Sequence, residues 1–129
     1  MSPLMSRLVF FLSVATLLAA GSACRSSPQM SQADHKIEFL YFEGCPNSPA
    51  MRARLEKALA IVGREPVFVE VDLSALPPDD PRLRFGAPTV LVDGEDLLGH
   101  TPRRERALSC RIYPEGLPSA SELAAHLRF

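Results

Sequence analysis

The sequence lacks the excess of basic residues that nucleic-acid binding requires. Lysine and arginine together number 14, against 15 aspartates and glutamates, so the formal net charge is −1. The chain also lacks an uninterrupted run of 18 or more apolar residues, the length of a membrane-spanning helix. We therefore expect neither a nucleic-acid partner nor a transmembrane helix.

Candidate metal ligands are scarce as well. The chain has three histidines and three cysteines, and His35, His100 and His126 are far apart in sequence with no metal-ligand spacing. No metal site and no cofactor are therefore predicted. The three cysteines are Cys24, Cys45 and Cys110.

The first 23 residues have the pattern of an export signal. A short segment with one basic residue precedes an apolar run at 8–20, and small residues follow it. The run "GSAC" at 21–24 resembles a lipoprotein signal, in which the cysteine becomes the lipid-modified first residue. It departs from that pattern at Gly21, where a larger aliphatic residue is usual.

Cys24 is accordingly the predicted lipidation site, and a polar run at 25–34 suits a flexible tether between a membrane and a domain. The alternative is ordinary signal-peptidase cleavage near Ala23, which would leave a soluble secreted protein. In either case the protein is exported, and lipidation would hold it in the periplasm or cell envelope. The predicted organisation is a signal peptide at 1–23, a tether at 24–35 and a folded domain at 36–129.

Apolar periodicity predicts an α/β domain of order β-α-β-β-β-α. A near-continuous apolar strand is followed by a helix whose apolar residues recur in steps of three and four. A strand, helix and strand of this length form a unit with parallel strands. We expect a central four-stranded mixed sheet flanked by helices. The predicted strands are 36–42, 67–73, 88–94 and 109–113, and the helices are 47–62 and 119–128.

Three local signals mark turns and helix ends. Ser119 and Glu122 form a predicted capping box at the start of the last helix. Asp80 is expected to cap a short helical turn near 82–85. The dipeptide Asp-Gly at 93–94 predicts a turn after the third strand.

Cys45 lies between the first strand and the first helix, in the stretch "YFEGCPNS". Pro46 fits the first helical position, which makes Cys45 the predicted N-cap. Its thiol would then face the free N–H groups of Asn47 and Ser48 and the positive end of the helix dipole, which favour the thiolate. We therefore predict that Cys45 is a reactive nucleophile. The alternative is an inert buried cysteine that fills the turn.

Together with "GAPTVLVDG" and "SCRIYPEGLPSASELAAHL", this stretch resembles the thioredoxin-like fold across roughly residues 36–129. More narrowly, it is similar to a group of small bacterial single-cysteine thioredoxin-family proteins in which selenocysteine sometimes replaces the cysteine. The resemblance implies that Cys45 is catalytic, that Pro88 is cis and packs against it, and that the Ala87 backbone pairs with substrate. It also implies a small thiol, or a protein thiol or disulfide, as the partner.

Ser48 departs from the thioredoxin pattern, which has a second cysteine at this position. A serine cannot resolve a mixed disulfide, so the dithiol cycle is unavailable within this turn. Monothiol glutaredoxins share the Cys-x-x-Ser arrangement and depend on an external small thiol. Two roles are open for Ser48: a hydrogen bond to the Cys45 thiolate, or satisfaction of backbone N–H groups in the first helical turn.

Cys110 is the possible second thiol. In the predicted topology the third strand separates the first from the fourth, so Cys110 is about 9 to 10 Å from the first strand. A disulfide needs Cα atoms within about 7 Å, so we expect no bridge to Cys45. Cys110 alternates with Ile112 on one face while Arg111 points the other way, which favours a buried core cysteine over a resolving one.

Two classes of function fit these features. The first is an exported thiol-dependent redox protein that works through Cys45, in the manner of a monothiol thiol-disulfide oxidoreductase. The second is a non-catalytic thioredoxin-fold binding module, or a lipoprotein that handles a soft metal such as mercury or copper. The basic cluster "RRER" at 103–106 is interpreted as solvated surface, with an anionic partner as the alternative.

Overall fold

The computed structural model describes residues 34–129, and these residues form an α/β domain with one four-stranded mixed sheet and two helices. The elements are β1 (Ile37–Tyr41), α1 (Ser48–Ile61), β2 (Val69–Asp72), β3 (Thr89–Val92), β4 (Glu95–Asp96) and α2 (Ala120–His126), with 3₁₀ turns at Leu73–Ala75 and Pro81–Arg84. The strand order in the sheet is β2-β1-β3-β4. Strand β1 pairs in parallel with β2 and antiparallel with β3, which pairs antiparallel with β4. The predicted α/β class and mixed sheet are confirmed.

Both helices pack on the same face of the sheet. Phe39 and Leu40 are neighbours in β1, and because successive strand residues point to opposite faces they belong to different core clusters. The first cluster joins the sheet to both helices through Ile37, Phe39, Met51, Leu55, Ala58, Leu59, Val90, Leu123, Ala124 and Leu127. The second contains Leu40, Cys45, Val71, Leu73, Leu83, Ala87 and Leu91. On this second face, turns and loops take the place of a helix.

The three local signals read from the sequence are confirmed. The Ser119 hydroxyl accepts from the Glu122 amide at 3.2 Å, and the Glu122 carboxylate accepts from the Ser119 amide at 2.6 Å. Asp80 accepts from the Arg82 amide at 2.9 Å and so caps the second 3₁₀ turn. The turn at 93–94 has φ values of 52° and 86°, the left-handed conformation that a tight hairpin requires.

The predicted fourth strand at 109–113 is wrong. The tight turn at 93–94 brings β4 directly back along β3, so β4 occupies the edge of β3 that the later segment was expected to use. Residues 109–113 instead run beside the stretch that precedes β3, where Cys110 forms a single parallel bridge with Ala87. Tertiary competition for one strand edge therefore overrides the strand propensity of this segment.

The predicted signal peptide, the lipidation site Cys24 and nearly all of the tether lie outside the described residues. Between residues 34 and 129, neither helix has the length and apolar character needed to cross a bilayer.

Candidate functional site around Cys45

Cys45 lies in a tight turn that connects β1 to α1. Its amide donates to the Phe42 carbonyl at 3.3 Å, and its own carbonyl accepts from the Ser48 amide at 3.2 Å. The Ser48 N–H therefore bonds to the backbone of Cys45 instead of facing its thiol. One of the two amide contacts expected to stabilise a thiolate is absent for this reason.

Helix α1 begins at Ser48, with Asn47 as its N-cap. The predicted start, with Pro46 as the first helical residue and Cys45 as the N-cap, is wrong. Two prolines flank this junction, and Pro49 is the one that takes the early helical position, where a missing N–H has no cost. The thiol is consequently part of the turn that precedes the helix.

The Cys45 thiol is buried against the segment that leads into β3. Cys45 is only 4% exposed, and its Sγ donates to the Ala87 carbonyl oxygen at 3.4 Å. The peptide bond between Ala87 and Pro88 is cis, as the family resemblance implies. Of the predicted site residues, the structure thus brings together Cys45, Ala87 and Pro88.

Ser48 presents a buried hydroxyl with no partner. The residue is 4% exposed, and its Oγ makes no hydrogen bond within the described part of the chain. Neither predicted role is realised, since the hydroxyl contacts neither a backbone N–H nor the Cys45 thiol. A buried polar group left unsatisfied costs about 1–3 kcal/mol. Ser48 and Cys45 both line a cavity of about 330 Å³, whose wall also includes Tyr41, Arg52 and Asp72.

Cys110 is exposed, and the predicted face assignment of its segment is inverted. Ile112 is 83% exposed, whereas the Arg111 side chain is only 8% exposed. The interpretation of Cys110 as a buried core cysteine is therefore wrong. Arg111 turns inward because it finds a buried carboxylate, Asp96, as an ion-pair partner. A charged side chain is seldom buried without such a partner, and the alternation of the segment could not reveal one.

Cys110 and Cys45 both lie next to Ala87. The bridge places Cys110 opposite Ala87, the residue whose carbonyl accepts from Cys45. The nearby Cys45 side chain is the main cause that raises the pKa of the Cys110 thiol above its ordinary value. The segment of Cys110 pairs with the stretch that leads into β3, and no disulfide joins Cys110 to Cys45, as predicted. Both thiols are free in this structure.

A polar network that sequence reasoning missed surrounds Pro88. Arg111 donates to the Thr89 hydroxyl at 3.1 Å and also pairs with Asp96. Tyr113 donates its hydroxyl to the Pro88 carbonyl at 2.6 Å, and burial raises the pKa of Tyr113 to about 12. These contacts fix the segment 109–113 against the residues that enter β3. No spacing in the sequence links residues so far apart.

The basic cluster at 103–106 divides into two kinds of residue. Arg103 is structural, since its guanidinium donates to the Leu83 carbonyl at 3.3 Å and to the Ala107 carbonyl at 3.1 Å. Arg104 and Arg106 are exposed, in keeping with solvated surface. Among the described residues, no group of three or more His, Cys, Asp or Glu side chains is arranged to hold a metal ion.

Comparison with known proteins yields no relative. The chain matches no protein-family model, no curated protein and no solved structure. A functional assignment therefore depends on the geometry of the residues around Cys45.

Proposed function

We propose that this protein is an exported, thiol-dependent redox protein of thioredoxin-like fold that exchanges disulfides through Cys45. In this proposal, lipid on Cys24 holds it at the cell envelope, and its partners are small thiols or protein thiols and disulfides. The element order and the mixed sheet are consistent with that fold.

The observation that carries the proposal is the position of the Cys45 sulfur. Its Sγ is 3.4 Å from the Ala87 carbonyl oxygen, at the wall of a cavity shared with the unpartnered Ser48 hydroxyl. An inert core cysteine needs only apolar neighbours. Here the thiol is part of the apolar second cluster but also has a polar acceptor, and the unused Ser48 donor in the same cavity is suited to a sulfur that becomes negatively charged.

Ser48 has a defined task in this mechanism. When a partner disulfide is attacked, negative charge develops on the attacking and leaving sulfurs. A hydroxyl already freed from other hydrogen bonds can donate to either sulfur without first breaking an existing contact. The hydrogen bond that the Ser48 hydroxyl then donates in the reacting complex offsets the free-energy cost of burying it without a partner in the resting protein.

The test is glutathione-dependent reduction of a small hydroxyalkyl disulfide by the full chain. We expect Cys45→Ser to reduce the rate to the uncatalysed background, because an alcohol is not a nucleophile toward sulfur at neutral pH. Cys24→Ser makes the same thiol-to-hydroxyl change outside the described residues and should retain the rate. Full activity in Cys45→Ser would overturn the proposal.

The adjacency of Cys45 and Cys110 favours a second candidate, the binding of a soft metal ion. Thiolates select ions such as copper(I), and two neighbouring thiols provide the start of a coordination shell. Equilibrium dialysis with copper(I) or mercury(II) distinguishes the candidates. Stoichiometric binding that needs both thiols, without disulfide turnover, would favour metal handling.

A further inference from the structure

We infer that Cys45 and Cys110 form a redox couple in which Cys110 resolves the mixed disulfide that Cys45 forms with a substrate. The inference rests on the proposed function of Cys45 and adds a second catalytic residue, supplied by a segment far from the Cys-x-x-Ser turn. A single-cysteine mechanism with an external thiol is the alternative.

The Ala87 carbonyl oxygen is the centre of this arrangement. It accepts from the Cys45 thiol at 3.4 Å and from the Arg111 amide at 2.7 Å. The Ala87 amide in turn donates to the Ser109 carbonyl at 2.9 Å. These two backbone bonds bracket Cys110 and hold it opposite Ala87, at the spacing of about 4.8 Å that separates paired backbones.

The Cys110 segment can pair with Ala87 because the backbones of Gly86 and Ser109 approach each other closely. Gly86 is buried with φ +75°, and a Cβ at this position would be 3.2 Å from both the carbonyl oxygen and the hydroxyl of Ser109. A side chain at Gly86 would be strained at this positive φ and would require the Ser109 backbone to give by a few tenths of an ångström. Glycine therefore sets the distance between the loop of the second thiol and the site of the first.

The segment that carries Cys110 is also fixed by side-chain contacts. Arg111 is tied to Asp96 and Thr89, and Tyr113 is tied to the Pro88 carbonyl. Cys110 is thus held beside Cys45 by two layers of contacts, one in the backbone and one in buried side chains. An anchored neighbour reacts with an effective concentration far above that of a free thiol in solution.

The two thiols differ in a way that assigns their order of reaction. Cys45 is buried in the cavity with Ser48, whereas Cys110 is exposed. The neighbouring Cys45 side chain raises the pKa of the Cys110 thiol. Because Cys45 shares its cavity with the unpartnered Ser48 hydroxyl, which can donate to a charged sulfur, we assign Cys45 as the first nucleophile and Cys110 as the second.

The reaction then balances with a disulfide as the only oxidant. The Cys45 thiolate attacks one sulfur of a substrate disulfide, which forms a mixed disulfide and releases one substrate half as a thiolate. Cys110, as it loses its proton, attacks the Cys45 sulfur and displaces the other half. The protein is oxidised by two electrons to the Cys45–Cys110 disulfide and the substrate is reduced to two thiols: the proton of Cys110 passes to one released thiolate, and the solvent, which took up the proton of Cys45, protonates the other. An external dithiol reverses both steps and restores the protein.

The experiment mixes the reduced full chain with an equimolar aromatic disulfide whose released thiolate is coloured. We expect the wild type to release both halves of the reagent and to yield a linked peptide containing Cys45 and Cys110 in non-reducing mass spectrometry. Cys110→Ser should release one half and keep the other on Cys45, with an adduct lifetime lengthened by about a hundredfold or more.

A positional control keeps an exposed thiol in the same segment. The double variant Cys110→Ser, Ile112→Cys moves the thiol to a residue that is 83% exposed. We expect it to retain the Cys45 adduct as Cys110→Ser does. If this variant forms an intramolecular disulfide with Cys45 at the wild-type rate, the inference that Cys110 is the specific partner of Cys45 is overturned.

The inference and the function on which it rests fail in different ways. If the wild type keeps the adduct on Cys45 while Cys45→Ser abolishes turnover, the redox couple is wrong and the monothiol mechanism stands. If Cys45→Ser retains full turnover, the proposed function itself is wrong.

Discussion

The hydroxyl of Tyr113 donates a hydrogen bond to the carbonyl oxygen of Pro88 at 2.6 Å, so the loop before α2 is bonded to the residue that precedes β3. The guanidinium of Arg111 lies 4.7 Å from the centre of the Tyr113 ring. Together with the backbone bridge, Tyr113 and Arg111 thus hold the segment of Cys110 against the residues that enter β3.

Removal of this hydroxyl should destabilise the domain. We expect Tyr113→Phe to lower the free energy of unfolding by about 1–2 kcal/mol, because the Pro88 carbonyl loses its partner in a partly buried setting. Urea denaturation measures the change. Tyr41→Phe, which alters the other of the two tyrosines, is the matched control and should cost less than half as much.

The same tyrosine should make stability fall at alkaline pH. Burial raises the pKa of Tyr113 from 10.0 to about 12 in the folded state. A raised folded pKa contributes stability that is fully present below pH 10 and is lost as pH rises toward 12. We expect a decrease of up to about 2–3 kcal/mol across this interval in the wild type, and a smaller one in Tyr113→Phe. An equal decrease in both proteins would contradict this assignment.

Neutralising one partner of the buried ion pair should lower the free energy of unfolding more than replacing both partners. The side chains of Arg111 and Asp96 are 8% and 2% exposed. We expect Asp96→Asn to lower the free energy of unfolding by about 3–5 kcal/mol because it leaves a buried charge, and Arg111→Met with Asp96→Asn to cost less. The exposed pair of Arg52 and Glu70 is the control, and Glu70→Gln should cost under about 1 kcal/mol.

Ser48→Ala should separate stability from reactivity. Removal of the unpartnered buried hydroxyl should raise the free energy of unfolding by about 1 kcal/mol, since alanine is also the better helix former. The same change should slow disulfide exchange at Cys45 by about tenfold if the hydroxyl donates to the reacting sulfurs. The control is Ser74→Ala, a serine on the exposed 3₁₀ turn. An unchanged exchange rate in Ser48→Ala would exclude the serine from the reaction.

Asp80 should make stability fall in acid. The side-chain hydrogen bond from Arg82 lowers the pKa of Asp80 from 3.8 to about 2. A depressed folded pKa contributes stability that is present above pH 4 and is lost as pH falls toward 2. We expect Asp80→Ala to cost about 1–2 kcal/mol at neutral pH and to remove this acid-dependent part, whereas Asp80→Asn keeps the cap and costs less. Denaturation midpoints measured between pH 2 and pH 6 check both statements.

Lipidation provides a prediction about location. We expect labelled palmitate to enter the protein through Cys24 and the Cys24→Ala variant to lose the label, because the run at 21–24 ends in the cysteine of a lipoprotein-type signal. Cys110→Ala is the matched cysteine control and should keep the label. Palmitate that persists in Cys24→Ala would contradict lipidation at this residue.

The local parts of the fold could be predicted because each depends on neighbours in sequence. The apolar steps in α1, the β-rich runs of β1 to β3, the capping box of Ser119 and the cap of Asp80 all involve residues within a few positions of one another. Cys45 could be selected in the same way, since a cysteine followed by a proline at a strand-to-helix junction is visible in the sequence alone.

Only the tertiary structure decided which face of the segment 109–113 is buried. Alternation establishes that Cys110 and Ile112 share a face, but it does not establish which face is buried. If the faces are reversed, every side chain expected in the core faces solvent, and the reverse. The choice of buried face depends on two tertiary contacts. Buried Asp96 forms an ion pair with Arg111, and β4 pairs with β3 along the edge that the segment was expected to use. Both contacts join residues that are distant in sequence, so the sequence pattern could not reveal them. They bury Arg111 and leave Cys110 exposed opposite Ala87.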